Sequence, residues 1–376
     1  MDIKLDSRIK KVKDAAKEGF VELGKFQKGE FKLLKTGYEE FDCHIGGLLP
    51  GDVLLLAGSP SSGKSETLYR ITDNVMNKEI NPDAEEFVSL EFSLEMKMLN
   101  KLVRAVNRIT GKKKSEIILE EFNEDEALKV KDYYSTLQDD RRYVVQEPID
   151  PKEFYTMTRD FCRLNCNKKA IFLTADHILL YKGKDKQAVL EEISEFINLL
   201  KLEFKNIYFC ILSQLNRGYS AVIKDKSNDM IPNNTHLFGS SFMEQLASYI
   251  VIITNPYKQS VLEYLRFHED RYDYLSEFYC AESKGKISFD TIGNLFFFVT
   301  KIRESDSEWK NLFIRKLDLT KEQLDKLKSF NKTETTPFSA PTFNTVPVFE
   351  KEKSVDEIVP PISFNNLSSA FEDAPF

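Results

Sequence analysis

The stretch "LLLAGSPSSGKSETL", residues 54–68, decides the fold class. Val53 to Ala57 is an apolar run typical of a buried strand, and the residues from Glu66 to Ile71 have the pattern of a helix. The turn between them matches the phosphate-loop pattern G-x-x-x-x-G-K-[ST]. Its glycines let backbone N–H groups converge on phosphate oxygens, and the helix that begins at the lysine adds the positive end of its dipole. The stretch therefore predicts a strand, turn and helix that bind a nucleotide.

The side chains of this turn predict ATP and Mg²⁺ as ligands. We expect Lys64 to neutralise the β- and γ-phosphates, and the hydroxyl of Ser65 to complete the shell of a magnesium ion. The alternative is a flexible loop that matches the pattern by chance, and the flanking strand and helix argue against it. The predicted nucleotide-binding residues are Gly58, Ser59, Pro60, Ser61, Ser62, Gly63, Lys64, Ser65 and Glu66.

Size, composition and charge limit the kinds of protein this can be. The chain has 376 residues, 41% hydrophobic and 30% charged, enough for one large domain or two modest ones. No apolar run approaches the roughly 20 residues of a membrane span, and the N-terminus lacks a signal-peptide core, so we expect a cytoplasmic protein without a membrane partner. The net charge of −7 argues against a protein that coats nucleic acid with its whole surface. Any contact with nucleic acid must be local.

The five cysteines do not show the pattern of a complete metal site. Cys162 and Cys166 lie four residues apart on a predicted helix, a spacing that would fit half of a zinc site. Without a second pair we interpret the cysteines as reduced, partly buried thiols.

Apolar runs and helical stretches alternate through the middle of the chain. This alternation predicts an α/β fold with a mostly parallel sheet and helices on both faces. The runs "LFFFVTKIRES" and "NLFIRKLDL" are predicted as strands nearer the sheet edge, whereas residues 258–290 look long and irregular. The predicted buried strands after the first are residues 87–92, 143–145, 170–175, 207–212 and 249–253.

Three parts are predicted along the chain. Residues 1–30 contain an amphipathic helix, predicted over Asp6 to Phe20, which on pattern alone is expected to pack on its own domain. Residues 31–325 form the ATPase domain. Residues 326–376 contain scattered Pro, Ser, Thr and Asn without a sustained period, which is typical of a disordered tail.

Polar residues at the ends of predicted strands provide candidates for ATP hydrolysis. The reaction needs an acid near Mg²⁺, a base for the attacking water and a sensor of the γ-phosphate. Asp176 after "IFLTA" fits the magnesium acid, Glu95 beyond "VSLEF" the base, and Gln214 in "CILSQ" the sensor. The alternative for each is structural, because such side chains also cap helices and turns.

Taken together, these segments resemble the ATPase domain of the DnaB-type hexameric replicative DNA helicases, which have a RecA-like core. "FSLEM", "SQLNRG" and the phosphate loop occur in that family's order and spacing, "TGYEEFDCHIGGLLPGD" resembles its lead-in, and the resemblance covers about residues 36–318. It implies that Glu95 is the catalytic glutamate, Asp176 the Walker B aspartate and Gln214 the γ-phosphate sensor. Lys301 and Arg303 in "VTKIRES" match the pair that reaches into the neighbouring subunit's ATP site, which implies a homo-oligomeric ring of six subunits.

The sequence departs from the family pattern where DNA is held. His177 and Leu179 replace the family's Tyr and Gln, and "LFGSSFMEQ" lacks the Arg and Glu that begin the family's DNA-gripping loop. We therefore expect cationic side chains beside the sensor, and backbone amides of that loop, to hold single-stranded DNA. A solvated charged surface is the alternative. The DNA-binding candidates are Lys182, Lys184, Lys186, Arg217, Lys224, Lys226, Gly239 and Ser240.

The predicted function is that of a ring-forming ATP-dependent motor that moves 5′ to 3′ along single-stranded DNA and unwinds the replication fork. Two alternatives stay open: a RecA-like recombinase or recombination mediator, and an ATP-gated clamp or loader adaptor. The resemblance also implies that the N-terminal helix is a linker that packs on the adjacent subunit, with primase or a loader as candidate partners in a bacterial cell or phage-infected host. The terminus "SSAFEDAPF" resembles the tip of bacterial single-stranded-DNA-binding proteins and is a candidate docking peptide.

Overall fold

The structure is a computed structural model. It describes residues 11–28, 33–176, 185–216, 218–219, 232–255, 263–267, 287–290, 294–302 and 311–316. The strands are β1 (Val53–Gly58), β2 (Phe87–Ser93), β3 (Arg142–Val145), β4 (Ala170–Asp176), β5 (Ile207–Gln214), β6 (Tyr249–Thr254), β7 (Glu263–Phe267), β8 (Ile287–Asp290), β9 (Asn294–Ile302) and β10 (Asn311–Lys316). The helices are α1 (Val12–Gln27), α2 (Glu39–Ile45), α3 (Lys64–Val75), α4 (Met98–Thr110), α5 (Lys114–Leu119), α6 (Glu124–Leu137), α7 (Pro151–Leu164), α8 (Lys186–Glu203) and α9 (Ser240–Leu246).

An eight-stranded sheet forms the centre of the fold, in the order β10-β9-β6-β1-β5-β4-β2-β3. The six strands from β1 to β6 pair in parallel, and β9 and β10 extend one side of the sheet antiparallel. The predicted α/β fold with a mostly parallel sheet is confirmed, and so is the position of the two late strands near its edge. Since β1 lies between β5 and β6, the phosphate-loop turn leaves the sheet near its middle.

The central strands are continuous apolar runs because both faces of the sheet are covered. Alternate residues of β1 belong to two separate clusters: Val53 and Leu55 lie in one with the apolar faces of α7 and α8, and Leu54 and Leu56 lie in the other with α3. Every residue of β1 is buried. A strand with this burial cannot alternate polar and apolar residues, which is why its pattern could be identified in the sequence.

Two sequence-based predictions about local structure were wrong in part. Helix α1 continues to Gln27, past the predicted end at Phe20, because Val21 and Leu23 keep the helical spacing while Gly19 and Gly24 do not interrupt it. Within residues 258–290, predicted as irregular, β7 and β8 pair antiparallel as a second, two-stranded sheet. The predicted start of α1 and residues 326–376 lie outside the described residues, and the domain boundaries stay predictions. Among the helices described, none combines the length and the apolar composition that a bilayer-spanning helix needs.

Candidate nucleotide site

The carboxyl-terminal ends of neighbouring strands bring the predicted hydrolysis residues together. Gly58 at the end of β1 is in register with Gln214 at the end of β5, and Ser93 at the end of β2 with Asp176 at the end of β4. Glu95 follows two residues after Ser93. Because parallel strands end at one edge of a sheet, the phosphate loop, the two acids and the amide occupy the same edge, where α/β sheets bind their ligands.

The turn that follows β1 is tightly curled. Ser61 and Gly63 adopt positive φ angles of 62° and 93°, and the N–H of Ser62 donates to the carbonyl of Ser59 at 3.2 Å. A Cβ atom at Gly58 would lie 2.2 Å from Oγ of Ser62. The conformation therefore requires glycine at the start of the turn, and successive backbone N–H groups in such turns form an anion-binding concavity.

Lys64 lies inside this turn with 7% of its surface exposed. Its ammonium donates to the carbonyl of Ser59 at 3.3 Å. Burial lowers the pKa of Lys64, while the carboxylates of Glu95 and Asp176 act in the opposite direction. A buried ammonium bonded to a neutral carbonyl carries a desolvation cost that an anionic phosphate would offset.

Asp176 is fully buried and has one carboxylate oxygen to spare. Oδ2 accepts a hydrogen bond from the hydroxyl of Tyr69 at 2.9 Å. Oδ1 is buried and has no hydrogen-bond partner among the described residues. Buried polar atoms in native proteins are normally paired, so this oxygen calls for a water or a cation. Asp176 and the nearby Ser65 thus fit a magnesium ion, which the carboxylate contacts through water.

The described residues contain no group of three or more His, Cys, Asp or Glu arranged to hold a metal by themselves. This is compatible with Mg²⁺, which keeps several waters and takes the rest of its shell from one or two protein groups and substrate phosphates. Of the two cysteines considered as half of a zinc site, Cys162 is buried and Cys166 exposed.

Tyr69 is a site residue that the sequence analysis missed. It lies one helical turn after Ser65, so both side chains leave the same face of α3. Burial and the Asp176 carboxylate raise the pKa of Tyr69, which keeps its hydroxyl protonated as a donor. The ammonium of Lys101 lies 4.8 Å from the centre of its ring. The spacing from Ser65 is a signal that sequence reasoning could have used.

The two glutamates of "LEFSLE" have different surroundings. Glu91 lies within β2 and forms an ion pair with Lys101, the two side chains being 17% and 10% exposed. Burial raises the pKa of Glu91, and Lys101 works against that shift. Glu95 lies beyond the strand and is exposed. Glu95 is therefore the carboxylate that water can reach, which supports its choice as the base.

Glu66 does not offer its side chain to the nucleotide. Its carboxylate forms ion pairs with Arg108 and Arg70. Its backbone N–H belongs to the first turn of α3, where N–H groups have no partner within the helix. Any contribution of Glu66 to phosphate binding must come from this N–H group.

The end of β5 is connected to the loop that precedes α9. The carbonyl of Gln214 accepts a hydrogen bond from the N–H of Phe238 at 3.0 Å, and Leu215 pairs with Leu237 in an antiparallel bridge. Gly239 follows with a φ of 65° and is the N-cap of α9. A movement of Gln214 would therefore reach Gly239 through the backbone.

Lys301 is not brought to the phosphate loop of its own chain. It pairs with Ile250 near the amino-terminal end of β6, whereas Phe296 pairs with Thr254 at the end beside the loop. That separation is about 16 Å at about 3.3 Å per strand residue. The ammonium of Lys301 donates to the carbonyl of Glu244.

Among the DNA-binding candidates, Lys186 is exposed in the first turn of α8, and Ser240 begins α9 directly after Gly239. Nothing in the structure tests their contact with DNA, which stays a prediction. The candidates outside the described residues are Lys182, Lys184, Arg217, Lys224, Lys226 and Arg303, together with His177 and Leu179.

Comparisons with known proteins agree with this arrangement. The model of the DnaB-like helicase C-terminal domain family matches residues 34–273. The replicative DNA helicase DnaB of Buchnera aphidicola subsp. Baizongia pistaciae is 25% identical over 226 residues, which are 58% of this chain and 46% of that protein. The chain thus spans about half the length of this curated relative.

Two solved structures share the fold. One, an isolated ATPase domain, has a TM-score of 0.58 at 16% identity, over 84% of this chain and 97% of that chain. A DnaB-like replicative helicase, described with its interactions with primase, has a TM-score of 0.55 at 16% identity, over 83% of this chain and 65% of that chain. The predicted RecA-like fold is confirmed. Because the family match extends over more than half of the sequence, the chain belongs to the DnaB-like helicase C-terminal domain family.

Proposed function

We propose that this chain is the ATP-hydrolysing motor of a ring-shaped replicative helicase that moves along single-stranded DNA and separates the strands of a fork. The observation that carries the proposal is the meeting of the phosphate loop, Asp176, Glu95 and Gln214 at one sheet edge in a chain of the DnaB-like family. The family match does not favour a recombinase.

Each residue at this edge has a role that its surroundings support. Lys64 neutralises the β- and γ-phosphates of ATP, and the desolvation cost of its burial falls when it does so. Ser65 and Asp176 hold Mg²⁺, which, when bound, offsets negative charge on the β- and γ-phosphate oxygens. Glu95 accepts the proton of the attacking water. Gln214 contacts the γ-phosphate and passes its loss to the loop at Gly239 through the bond to Phe238.

Lys301 and Arg303 act on the ATP site of the neighbouring subunit. The distance of Lys301 from its own phosphate loop supports action in trans, since a residue at the opposite sheet edge cannot serve the site of its own chain. Cations that enter from a neighbour stabilise charge on the transferring phosphoryl group. The protein is then active as a closed homo-oligomer, and the family pattern favours six subunits and 5′ to 3′ movement.

Partners are proposed on the same basis. Single-stranded DNA passes the cationic segments that carry Lys182 to Lys186 and Arg217 to Lys226, which track phosphates without reading sequence. The exposed apolar side chains of α1, Val12 and Phe20 among them, support its role as a linker helix that packs on the adjacent subunit. Primase or a loader is the proposed protein partner, and the terminal "EDAPF" a docking peptide.

The decisive experiment measures ATP hydrolysis and strand separation on a forked DNA duplex. We expect the wild type to hydrolyse ATP faster with single-stranded DNA present and to release the displaced strand. Lys64→Ala and Glu95→Gln abolish both activities, whereas Lys152→Ala, at an exposed lysine of α7, leaves them unchanged. DNA-stimulated hydrolysis without strand release would point to a clamp or loader adaptor, and open filaments in electron micrographs to a recombinase.

A mixing experiment tests the shared site. Lys64→Ala retains Lys301 and Arg303, while Arg303→Ala retains its phosphate loop, and each variant alone is expected to be inactive. If sites are shared between subunits, an equal mixture regains hydrolysis at about a quarter of its sites, because each functional site combines the intact half of two different chains. No recovery in rings that native mass measurement shows to be mixed would contradict action in trans.

A further inference from the structure

Tyr69 connects the helix that follows the phosphate loop to the magnesium-binding carboxylate. We propose that Tyr69 is a positioning residue for Asp176, holding Oδ2 by its 2.9 Å hydrogen bond so that Oδ1 is left for the metal shell. The proposal rests on the proposed function, because it assigns a role in the same ATP site.

The placement of Tyr69 follows from the helix. Ser65 and Tyr69 are four residues apart on α3, so one face of the helix carries both a predicted magnesium ligand and the donor to the other ligand. Asp176 arrives from the end of β4, more than a hundred positions along the chain. The hydroxyl of Tyr69 therefore fixes the distance between the two elements that together hold the metal.

Asp176 needs such a partner because a carboxylate can turn about its terminal torsion. With Oδ2 bonded and Oδ1 unpaired among the described residues, one hydrogen bond selects the orientation in which one oxygen is reserved. Groups that orient metal ligands in this way commonly change metal affinity by about 10-fold to 100-fold when they are removed.

Tyr69 is itself held in place from the side of α4. Lys101 lies over its ring, and the same ammonium pairs with Glu91 of β2, the neighbour of β4 in the sheet. The ring is thus fixed between α3, α4 and the sheet, and its hydroxyl has little freedom to leave Asp176. This support makes Tyr69 a rigid donor, as expected of a residue that sets the geometry of another.

The experiment compares nucleotide binding with and without magnesium. For the wild type, Tyr69→Phe and Tyr208→Phe, the dissociation constant of a fluorescent ATP analogue is measured in excess EDTA and across a magnesium titration. Tyr208 is the matched control, because it is a buried tyrosine at the amino-terminal end of β5, the edge opposite the site. The ratio of the two constants reports only on folded protein, so partial unfolding of a variant does not change it.

We expect Tyr69→Phe to leave binding in EDTA unchanged and to raise the magnesium concentration for half-maximal binding by about tenfold. ATP hydrolysis by this variant should recover at high magnesium, which a merely structural lesion would not allow, and Tyr208→Phe should behave as the wild type. An unchanged magnesium requirement in Tyr69→Phe overturns the proposal while leaving the helicase function intact. A wild type that binds the analogue without any influence of magnesium contradicts the ATP site itself, and hence the proposed function.

Discussion

Replacing Lys101 with methionine tests how strongly the sheet beside the nucleotide site depends on one buried charge pair. Methionine keeps the length and apolar body of the lysine side chain and removes its ammonium group. The side chains of Lys101 and Glu91 are 10% and 17% exposed, so water can replace little of the lost attraction. Removing one partner of a buried ion pair costs about 3–5 kcal/mol, chiefly because the other charge is left in a poorly solvated place.

The cost of Lys101→Met should depend on pH in a defined direction. Burial already raises the pKa of Glu91 above that of an unfolded chain, and Lys101 is the largest influence that lowers it. Without Lys101 the folded pKa rises further. A carboxyl group with a raised folded pKa takes up a proton on folding at intermediate pH, so stability falls as pH rises through that pKa. The variant should therefore lose more stability at about pH 8 than at about pH 5.

Urea unfolding of the wild type, Lys101→Met, Glu91→Gln and the double variant measures this pair as a double-mutant cycle. We expect the double variant to be more stable than Lys101→Met at neutral pH, because it contains no buried carboxylate without a partner, with an interaction energy of about 2–3 kcal/mol. A loss below about 1 kcal/mol in Lys101→Met, equal at both pH values, would show that Glu91 is solvated and would refute the reasoning.

Three further predictions concern the phosphate loop, a helix cap and the thiols. Gly58→Ala places a carbon 2.2 Å from Oγ of Ser62, and we expect it to lower the free energy of unfolding by about 1–3 kcal/mol and to weaken binding of the fluorescent ATP analogue. Asp150→Ala removes the acceptor of two backbone N–H groups, each at 2.8 Å, at the start of α7, so urea unfolding should show a loss of about 1 kcal/mol, and less for Asp150→Asn. Cys43 is exposed, whereas burial raises the pKa of Cys162 to about 12; a thiol reagent at mildly alkaline pH should modify Cys43 in the native protein and Cys162 only after unfolding.

The sequence was sufficient for the features that depend on local pattern. The strands of the parallel sheet could be predicted because strands covered on both faces have continuous apolar runs, and their ends located Asp176 and Gln214. The phosphate loop could be predicted because its glycines are required by the backbone, as the contact at Gly58 shows. These signals need no knowledge of which strand lies beside which.

Features that depend on sheet order were beyond the sequence. Tyr69 meets Asp176 only because α3 packs over the end of β4, and Glu91 meets Lys101 only because α4 returns across β2. The pairing of β7 with β8 was missed because charged and aromatic residues alternate there without an apolar run. Whether Lys301 serves its own site or another also depends on strand direction, since β9 is antiparallel to its neighbour.

The direction of β9 gives this strand a place in the proposed coupling between subunits. Its first buried residue, Leu295, lies at the phosphate-loop edge, where a Cβ atom on Gly63 would be 3.0 Å from one of its methyl groups. The same strand ends at the opposite edge with Lys301, and the residues between, from Phe296 to Val299, are buried. A closely packed strand moves as a unit, because displacing one end costs contacts along its whole length. If Lys301 and Arg303 act on the neighbouring site, β9 is then a rigid connection from the nucleotide of one subunit to the nucleotide of the next, and its antiparallel direction is what allows one chain to serve both.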